Sequence, residues 1–315
     1  MSAGERRAAR TARAGGGRPG VGAIVTVPPY ADFQDEVVAH PMTVGLRLNT
    51  VMPLADPRAK VLRRLLALGP PLWVDLKGRQ LRVVEAGLPP FTAIRLSHRI
   101  QVQTPCDAFF SDGREHARVV AVEGDRIILA DSPRRVVGPG ESVNIVAPDL
   151  RIEGSLTEGD RAWLEAMAEV GARDVMLSFV EGPEDTQEVR TLLPGARVVQ
   201  KIESGRGLAH ARRTGAAHGR LMAARGDLYV EVVQPHKVLG AVRDLVRADP
   251  DAIVASRVLS SLAWGEVPDS ADLSDVAWLH GLGYRTFMLG DHVCLRRESV
   301  RAALNLLEAI AAELR

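Results

Sequence analysis

Short apolar runs recur along the chain, at residues 23–27, 44–48, 72–75, 174–179, 197–202, 220–224, 252–256 and 285–289. Between the later runs apolar side chains return every three or four positions, as in 158–170 and 237–248, which predicts amphipathic helices. Runs that are apolar throughout predict strands covered on both faces, and their alternation with helices predicts a parallel sheet. Eight such strands favour a closed (β/α)8 TIM barrel over an open doubly wound sheet. One interval departs from this rhythm. From 84 to 147 the pattern becomes two-residue alternation broken by turn signals: 116–123 alternates, Gly124-Asp125 turns, and 126–131 runs back. Pro89, Pro90, Pro133 and Pro139 bound its pieces. The expected organisation is an α/β barrel formed by 21–83 and 148–315, with a small antiparallel β lid domain, 84–147, inserted after strand 3.

Composition then removes several alternatives. Hydrophobic residues make up 46% and charged residues 25%, which fits a folded globular chain and argues against disorder. The net charge of +1, with Arg interspersed among Asp and Glu, gives no basic face for nucleic acid. No segment reaches about 18 uninterrupted apolar residues, so no membrane partner is expected. Cys106 and Cys294 are too few for a disulfide scaffold and lack metal-ligand spacing, so both are expected as reduced thiols. Residues 1–20 are rich in Arg, Ala and Gly without the apolar run that a secretory signal needs. They read as a disordered tail, with a mitochondrial-type presequence as the alternative. A cytoplasmic location and a homo-oligomer are expected.

In a barrel of this kind catalytic groups lie at the carboxyl ends of the strands. There the apolar runs give way to Arg47-Leu48-Asn49, Asp75-Leu76-Lys77-Gly78, Lys201-Ile202-Glu203-Ser204, Ala224-Arg225-Gly226-Asp227-Leu228 and Ser256-Arg257. Glu203 and Asp227 are expected to close adjacent strands, which run about 4.8 Å apart. Carboxylates that close repel each other unless a cation lies between them, and an oxygen-only donor set favours Mg2+ or Mn2+. The plainer alternative pairs the two acids with Lys201 and Arg225 as salt bridges.

Taken in order, these segments resemble the pyruvate kinase family over most of the chain. That family carries Lys-Ile-Glu followed about two dozen residues later by Ala-Arg-Gly-Asp-Leu, here Lys201-Ile202-Glu203 and Ala224-Arg225-Gly226-Asp227-Leu228. Arg47-Leu48-Asn49, Asp75 with Lys77-Gly78, Ser178-Phe179 and Ser274-Asp275-Val276-Ala277 match as well. The resemblance implies that Glu203 and Asp227 hold a divalent metal bridging two oxygens of an enolpyruvate. It implies that Lys201 stabilises negative charge on the reacting group, and that Arg47 contacts the phosphoryl or carboxylate side of the ligand. The amides of Gly226 and Asp227, with the Ser256 hydroxyl, would meet the substrate carboxylate. Asp75 joins the substrate-binding set, and Arg82 stands at one hinge of the lid. The implied partner is a small 2-oxo acid of the pyruvate, oxaloacetate or phosphoenolpyruvate type.

The departures from the family pattern cluster on one side. Val51 and Met52 stand where the family has Ser and His, and Leu76 where it has Thr, which removes monovalent-cation ligands. Glu141 and Ser142 replace a basic residue that the family uses on nucleotide phosphate, so Glu141 is expected to repel a phosphate. Gly290-Asp291-His292-Val293 replaces Ser-Gly-Glu-Thr, and Tyr229 replaces a Gly. The family's C-terminal regulatory domain is expected to be absent beyond the helical stretch at 299–314. These losses fall on the nucleotide and potassium side, so the favoured reading is a metal-dependent aldolase or decarboxylase acting through a pyruvate enolate. The alternatives are a minimal phosphotransferase using phosphoenolpyruvate and a non-catalytic binding protein. His210, His218, His236 and His280 are read as surface or helix-cap residues, and His292 as lying near the active face. Trp264, in the loop after strand seven, is the tryptophan best placed to meet a ligand.

Overall fold

The computed structural model describes residues 20–85, 92–111, 113, 115–232 and 234–314. Residues 1–19 of the expected tail, and Pro89 and Pro90, lie outside them. In chain order the strands are β1 (Gly22–Thr26), β2 (Thr43–Asn49) and β3 (Leu72–Leu76), then β4 (Ala93–Arg95), β5 (Ile100–Gln101), β6 (Cys106–Phe110), β7 (Glu115–Glu123), β8 (Arg126–Leu129), β9 (Val143–Ile145) and β10 (Arg151–Ile152). The chain continues through β11 (Asp174–Leu177), β12 (Arg197–Ile202), β13 (Arg220–Ala224), β14 (Ile253–Ala255) and β15 (Thr286–Leu289). Eight of them, β1 to β3 and β11 to β15, close into a parallel barrel in which β15 pairs with β1.

The barrel strands are largely apolar because each feeds two separate cores. Ile24, Met176, Val199, Met222, Ala224, Ile253, Ala255 and Met288 fill the lumen. Their immediate neighbours, such as Val25, Val175, Val198, Ala223, Val254 and Phe287, pack outward against the helices. The two-residue period of a strand then sets which side chains stand above this plug. Continuing the lumen parity of Val199 puts Lys201 and then Glu203 there, and Trp73 is succeeded on that face by Asp75 and Lys77. The polar ring at the barrel mouth is the same alternation carried past the point where apolar side chains stop.

The insert folds as an antiparallel sheet in the order β4-β8-β7-β6-β9, with β5 and β10 paired beside it. The predicted hairpin at Gly124-Asp125 is the β7–β8 connection, with Glu123 opposite Arg126. Its own core includes Leu81, Val83 and Leu150. The packing therefore reaches a few residues beyond the limits of 84 and 147 read from the sequence. Of the histidines read as surface or cap residues, His210 departs: it is buried, with its ring 3.3 Å from Gln200 Oε1 and stacked on His218.

One carboxylate ties the lid's outgoing strand to the barrel. The helix Glu158–Val170 opens with a capping box in which Thr157 and Asp160 satisfy each other's backbone amides. Asp160 also accepts from the amides of Lys77 at 2.8 Å and Gly78 at 3.1 Å, holding the turn after β3. Gly78 has φ +51, and a Cβ there would lie 2.5 Å from the Ser178 carbonyl oxygen, so only glycine fits. Replacing Asp160 with Ala strands these amides in a buried place and is expected to cost about 2–3 kcal/mol. Thermal melts of the variant, expected to fall by several degrees, check this.

Candidate active site

Around the barrel mouth acids and bases alternate. Asp75 is fully buried on β3, and its Oδ2 accepts from both Nε and Nη2 of Arg47 on β2. Its Oδ1 faces Lys201 Nζ on β12 at 3.1 Å. Lys201 also donates to Ser178 Oγ at 2.6 Å and lies 3.3 Å from Glu203 Oε1. On its other side Arg47 Nη1 reaches Thr26 Oγ1 at 2.9 Å and Asp291 Oδ1 at 3.0 Å, and Asn49 Nδ2 donates to Asp291 Oδ2 at 3.0 Å. Lys77 Nζ closes the set on Asn49 Oδ1 at 2.8 Å.

The proton affinities reflect these pairings. Burial alone would raise the Asp75 carboxyl, but Lys201, Arg47 and Lys77 hold it far below the usual carboxylate range. Burial would likewise lower Arg47 and Lys201, yet Asp291 and Asp75 raise the first, and Asp75 and Glu203 raise the second. Burial also raises Asp291, against which Arg47 and Asn49 bring it below its ordinary value. Lys77 goes the other way. Burial, with Arg82, Lys201 and Arg47 nearby, outweighs Asp75 and brings its ammonium down to about 7.

Glu203 comes directly after β12, and its second oxygen accepts from the Phe179 amide at 2.9 Å. Asp227 does not close a strand as the sequence suggested. β13 ends at Ala224, and Asp227 sits in the helix Arg225–Glu231 that starts at once. Of the two pairings in the salt-bridge alternative, that of Lys201 with Glu203 is present and that of Arg225 with Asp227 is not. Lys201 does approach Glu203, but Arg225 is bound by Asp275 at 2.7 and 2.8 Å. Asp227 instead accepts from two amides, Gln80 Nε2 at 3.1 Å and Asn144 Nδ2 at 3.2 Å. Gly226 lies against Ser256, whose Oγ would be 3.3 Å from a Cβ at that position. Ser256 itself takes a left-handed conformation with φ 67, as does Arg257 with φ 59, and Arg257 lies over the Tyr229 ring at 4.6 Å.

The donor chemistry fits a hard divalent cation. Glu203 and Asp227 are both buried, offer oxygen only, and accept hydrogen bonds from neutral amides. Mg2+ is commonly held by one or two carboxylates, with water and substrate oxygens completing the shell. Among the described residues there is no cluster of three or more His, Cys, Asp or Glu suited to a metal.

Other parts of the site are not legible in the sequence. Asp291 reads there as a departure from a family motif, yet it is the second carboxylate on Arg47. Gln80 and Glu231 belong to no motif that the sequence marks, and Asn144, in the Val143-Asn144 pair of the lid hinge, carries no role there. Burial raises the Glu231 carboxyl to about 8 beside Asn144, whose Nδ2 lies 3.1 Å from its Oε1. The lid hinge corrects another expectation. Glu141 is not a bare negative charge: Arg135 binds both its oxygens, Ser111 Oγ and the Gly138 amide add hydrogen bonds, and the carboxyl falls to about 2. Arg82 donates to Gln80 Oε1 and to the Gly140 carbonyl. The exposed Trp264 touches His292 across the loops after β14 and β15, with ring centroids 5.7 Å apart.

Asp75→Asn would leave Arg47 and Lys201 in the lumen without their shared counter-charge, and is expected to cost about 3–5 kcal/mol near neutral pH. Since the folded carboxyl is depressed, its contribution is full above the unfolded value of about 4 and fades as pH falls below it. Melts of both proteins between about pH 7 and pH 3 check that the gap narrows on acidification.

Comparison with known proteins matches this geometry. The family described as "Pyruvate kinase, barrel domain" matches residues 96–290. A pyruvate kinase of Agrobacterium vitis is 35% identical over 195 residues, covering 58% of this chain and 40% of its own. One from Methanocaldococcus jannaschii is 26% identical over 291 residues, covering 85% and 64%. The chain thus spans less than two thirds of the length of these relatives. In fold it is similar to Cryptosporidium parvum pyruvate kinase, with a TM-score of 0.77 at 18% identity over 95% of this chain and 72% of that one. With a matched family segment covering more than half of its residues, the chain belongs to the pyruvate kinase family.

Proposed function

We propose that the protein transfers a phosphoryl group from phosphoenolpyruvate, or a close enol phosphate, to a nucleoside diphosphate or another acceptor. The observation that carries this reading is the buried ammonium of Lys201, held by Asp75, Ser178 and Glu203 and flanked by Arg47 and Lys77. Phosphoryl transfer is mainly a matter of positioning and of meeting negative charge with preorganised cations. The bridging P–O bond of the enol phosphate breaks, phosphorus passes to an acceptor oxygen, and the enolate takes a proton at its methylene carbon.

Lys201 faces the transferring group, and Arg47, fixed between Asp75 and Asp291, orients the anionic ligand. The Gly226 and Asp227 amides and the Ser256 hydroxyl address its carboxylate. Glu203 and Asp227 would hold Mg2+ or Mn2+, which when bound supplies Lewis-acid stabilisation of the enolate oxygen. The aldolase or decarboxylase reading shares this enolate half. Part of its separate support is repulsion of phosphate by Glu141, and that charge is engaged by Arg135. The sequence similarity to pyruvate kinases also favours phosphotransfer.

Assays with Mg2+ are expected to release a 2-oxo acid from phosphoenolpyruvate only when an acceptor such as ADP is present. Lys201→Met should lower the rate by about a hundredfold or more. Cleavage of oxaloacetate or a 4-hydroxy-2-oxo acid without nucleotide, and no acceptor-dependent reaction, would restore the lyase. A second expectation concerns monovalent ions. Val51 is exposed, Leu76 is buried in the outer core, and the Lys77 ammonium already occupies the Asn49 oxygen. The rate should therefore change little when K+ is exchanged for a large organic cation, and a strong K+ requirement would show the assignment of these positions to be wrong.

A further inference from the structure

A cavity of about 540 Å3 lies at the amino ends of β13, β14 and β15, at the opposite end of the barrel from its charged mouth. Arg220, the first residue of β13, lines it with a half-buried guanidinium that crosses the two neighbouring strand starts. Its Nε donates to the Asp251 carbonyl just before β14, and its Nη2 donates to Thr286 Oγ1 on β15 at 2.8 Å. Nη1 is left without a hydrogen-bond partner, and no carboxylate among the described residues forms an ion pair with this side chain. Burial draws the guanidinium below its ordinary proton affinity, and Asp249 and Asp251 offset this only in part. Thr286 Oγ1 accepts from Arg220, so its own proton can turn toward the cavity. Val246 and Leu282 supply an apolar wall. Arg285, which donates to the His280 and Tyr284 carbonyls, and Asp251 also line the space.

We propose that this cavity binds a small anion with an apolar body, a phosphate monoester or a carboxylate, whose negative end sits on Arg220 and Thr286. A guanidinium drawn partly out of water without a counter-charge is unfavourable, and a bound anion supplies the charge that the fold leaves out. The Arg220 Nη1 protons and the Thr286 hydroxyl proton stand side by side as donors, an arrangement suited to the paired oxygens of a carboxylate or phosphate. The volume falls within the range of about 300–1,000 Å3 found for small-molecule sites, and the Val246 and Leu282 wall accepts the rest of the ligand. Asp251 sets the orientation. Its carboxylate repels the anionic end, which therefore belongs at Arg220, with the uncharged end toward Asp251. None of these side chains belongs to the barrel mouth, so the site stands apart from the phosphotransfer reading.

Phenyl phosphate and benzoate share a ring and differ in head group, while inorganic phosphate lacks the ring. Each is titrated by calorimetry, without divalent cations, into wild type, Arg220→Met, Asp251→Asn and Lys201→Met. Wild type should bind phenyl phosphate or benzoate with a Kd of about 1 mM or tighter, and inorganic phosphate about tenfold more weakly. Whichever ring-bearing anion binds more tightly names the head group. Arg220→Met should weaken binding about tenfold or more, Asp251→Asn should tighten it about threefold, and Lys201→Met should leave it unchanged. A guanidinium that only staples the strand starts would give no saturable binding in wild type, or one affinity in every protein, and either result overturns the site. Binding lost in Lys201→Met but kept in Arg220→Met puts the anion at the barrel mouth and overturns it equally. Equal affinity for inorganic phosphate overturns the apolar half of the assignment. Circular dichroism reports folding. Should Arg220→Met fail to fold, the exposed Asp251→Asn carries the test, and unaltered affinity there overturns the proposal.

Discussion

A carboxylate with no contact to water, Asp75, sits between a guanidinium and an ammonium that enter from different strands. Desolvating three charges is costly, and their mutual attraction offsets that cost only when geometry is tightly defined. The barrel provides that definition. β2 neighbours β3 directly, while β12 lies one strand further on, beyond β11. Arg47 and Lys201 can share Asp75 only if the sheet curves enough to bring the lumen faces of β3 and β12 together. From there the chain of opposite charges runs outward, from Asp75 through Arg47 to Asp291 and through Lys201 to Glu203. Long, flexible side chains that would otherwise sample many rotamers are each held at two points. The result is preorganisation, which matters more for a charge-transferring reaction than for fold stability.

The same geometry explains which parts of the molecule can be read from the sequence. Strands covered on both faces appear as largely apolar runs, so all eight barrel strands are visible, and Lys201 and Glu203 stand out because they continue one strand with the right parity. Strand ends are harder to judge. The apolar run at β13 stops at Ala224, but polarity alone does not say whether the chain stays extended, and Asp227 proves helical. Partnerships across long loops escape detection altogether. Asp291 meets Arg47 from 244 residues away, and Asn144 meets Asp227 from 83. Glu141 misleads for a nearer reason: Arg135 is only six residues off, but the lid fold brings its guanidinium onto that carboxylate.

Two anchors tie the inserted domain to the barrel. Asp160 holds the turn at Lys77-Gly78, and Asp185 accepts from Arg79 Nε at 2.7 Å and from Ser155 Oγ at 2.8 Å, with Arg79 also reaching the Ile152 carbonyl. The outgoing strand is therefore clamped to the barrel up to Arg79, and the returning strand is clamped from Ile152 onward. Gln80, Arg82 and Asn144 lie in the segments between these clamps and the lid core.

On the proposed reading, the alternating charges also decide how ligands must arrive. An anion entering alone would compete with Asp75, Asp291 and Glu203 for cations that are already paired. A divalent cation entering alone would face Lys201, 3.3 Å from one Glu203 oxygen. Glu203 can release that ammonium at little electrostatic cost only when another cation takes its place, and Lys201 can turn to an anion only when Glu203 no longer claims it. Each arrival removes the obstacle to the other, so anion and divalent cation should bind with positive coupling. The pairing seen within the protein is then the resting arrangement of a site whose charges are meant to be exchanged rather than left unpaired.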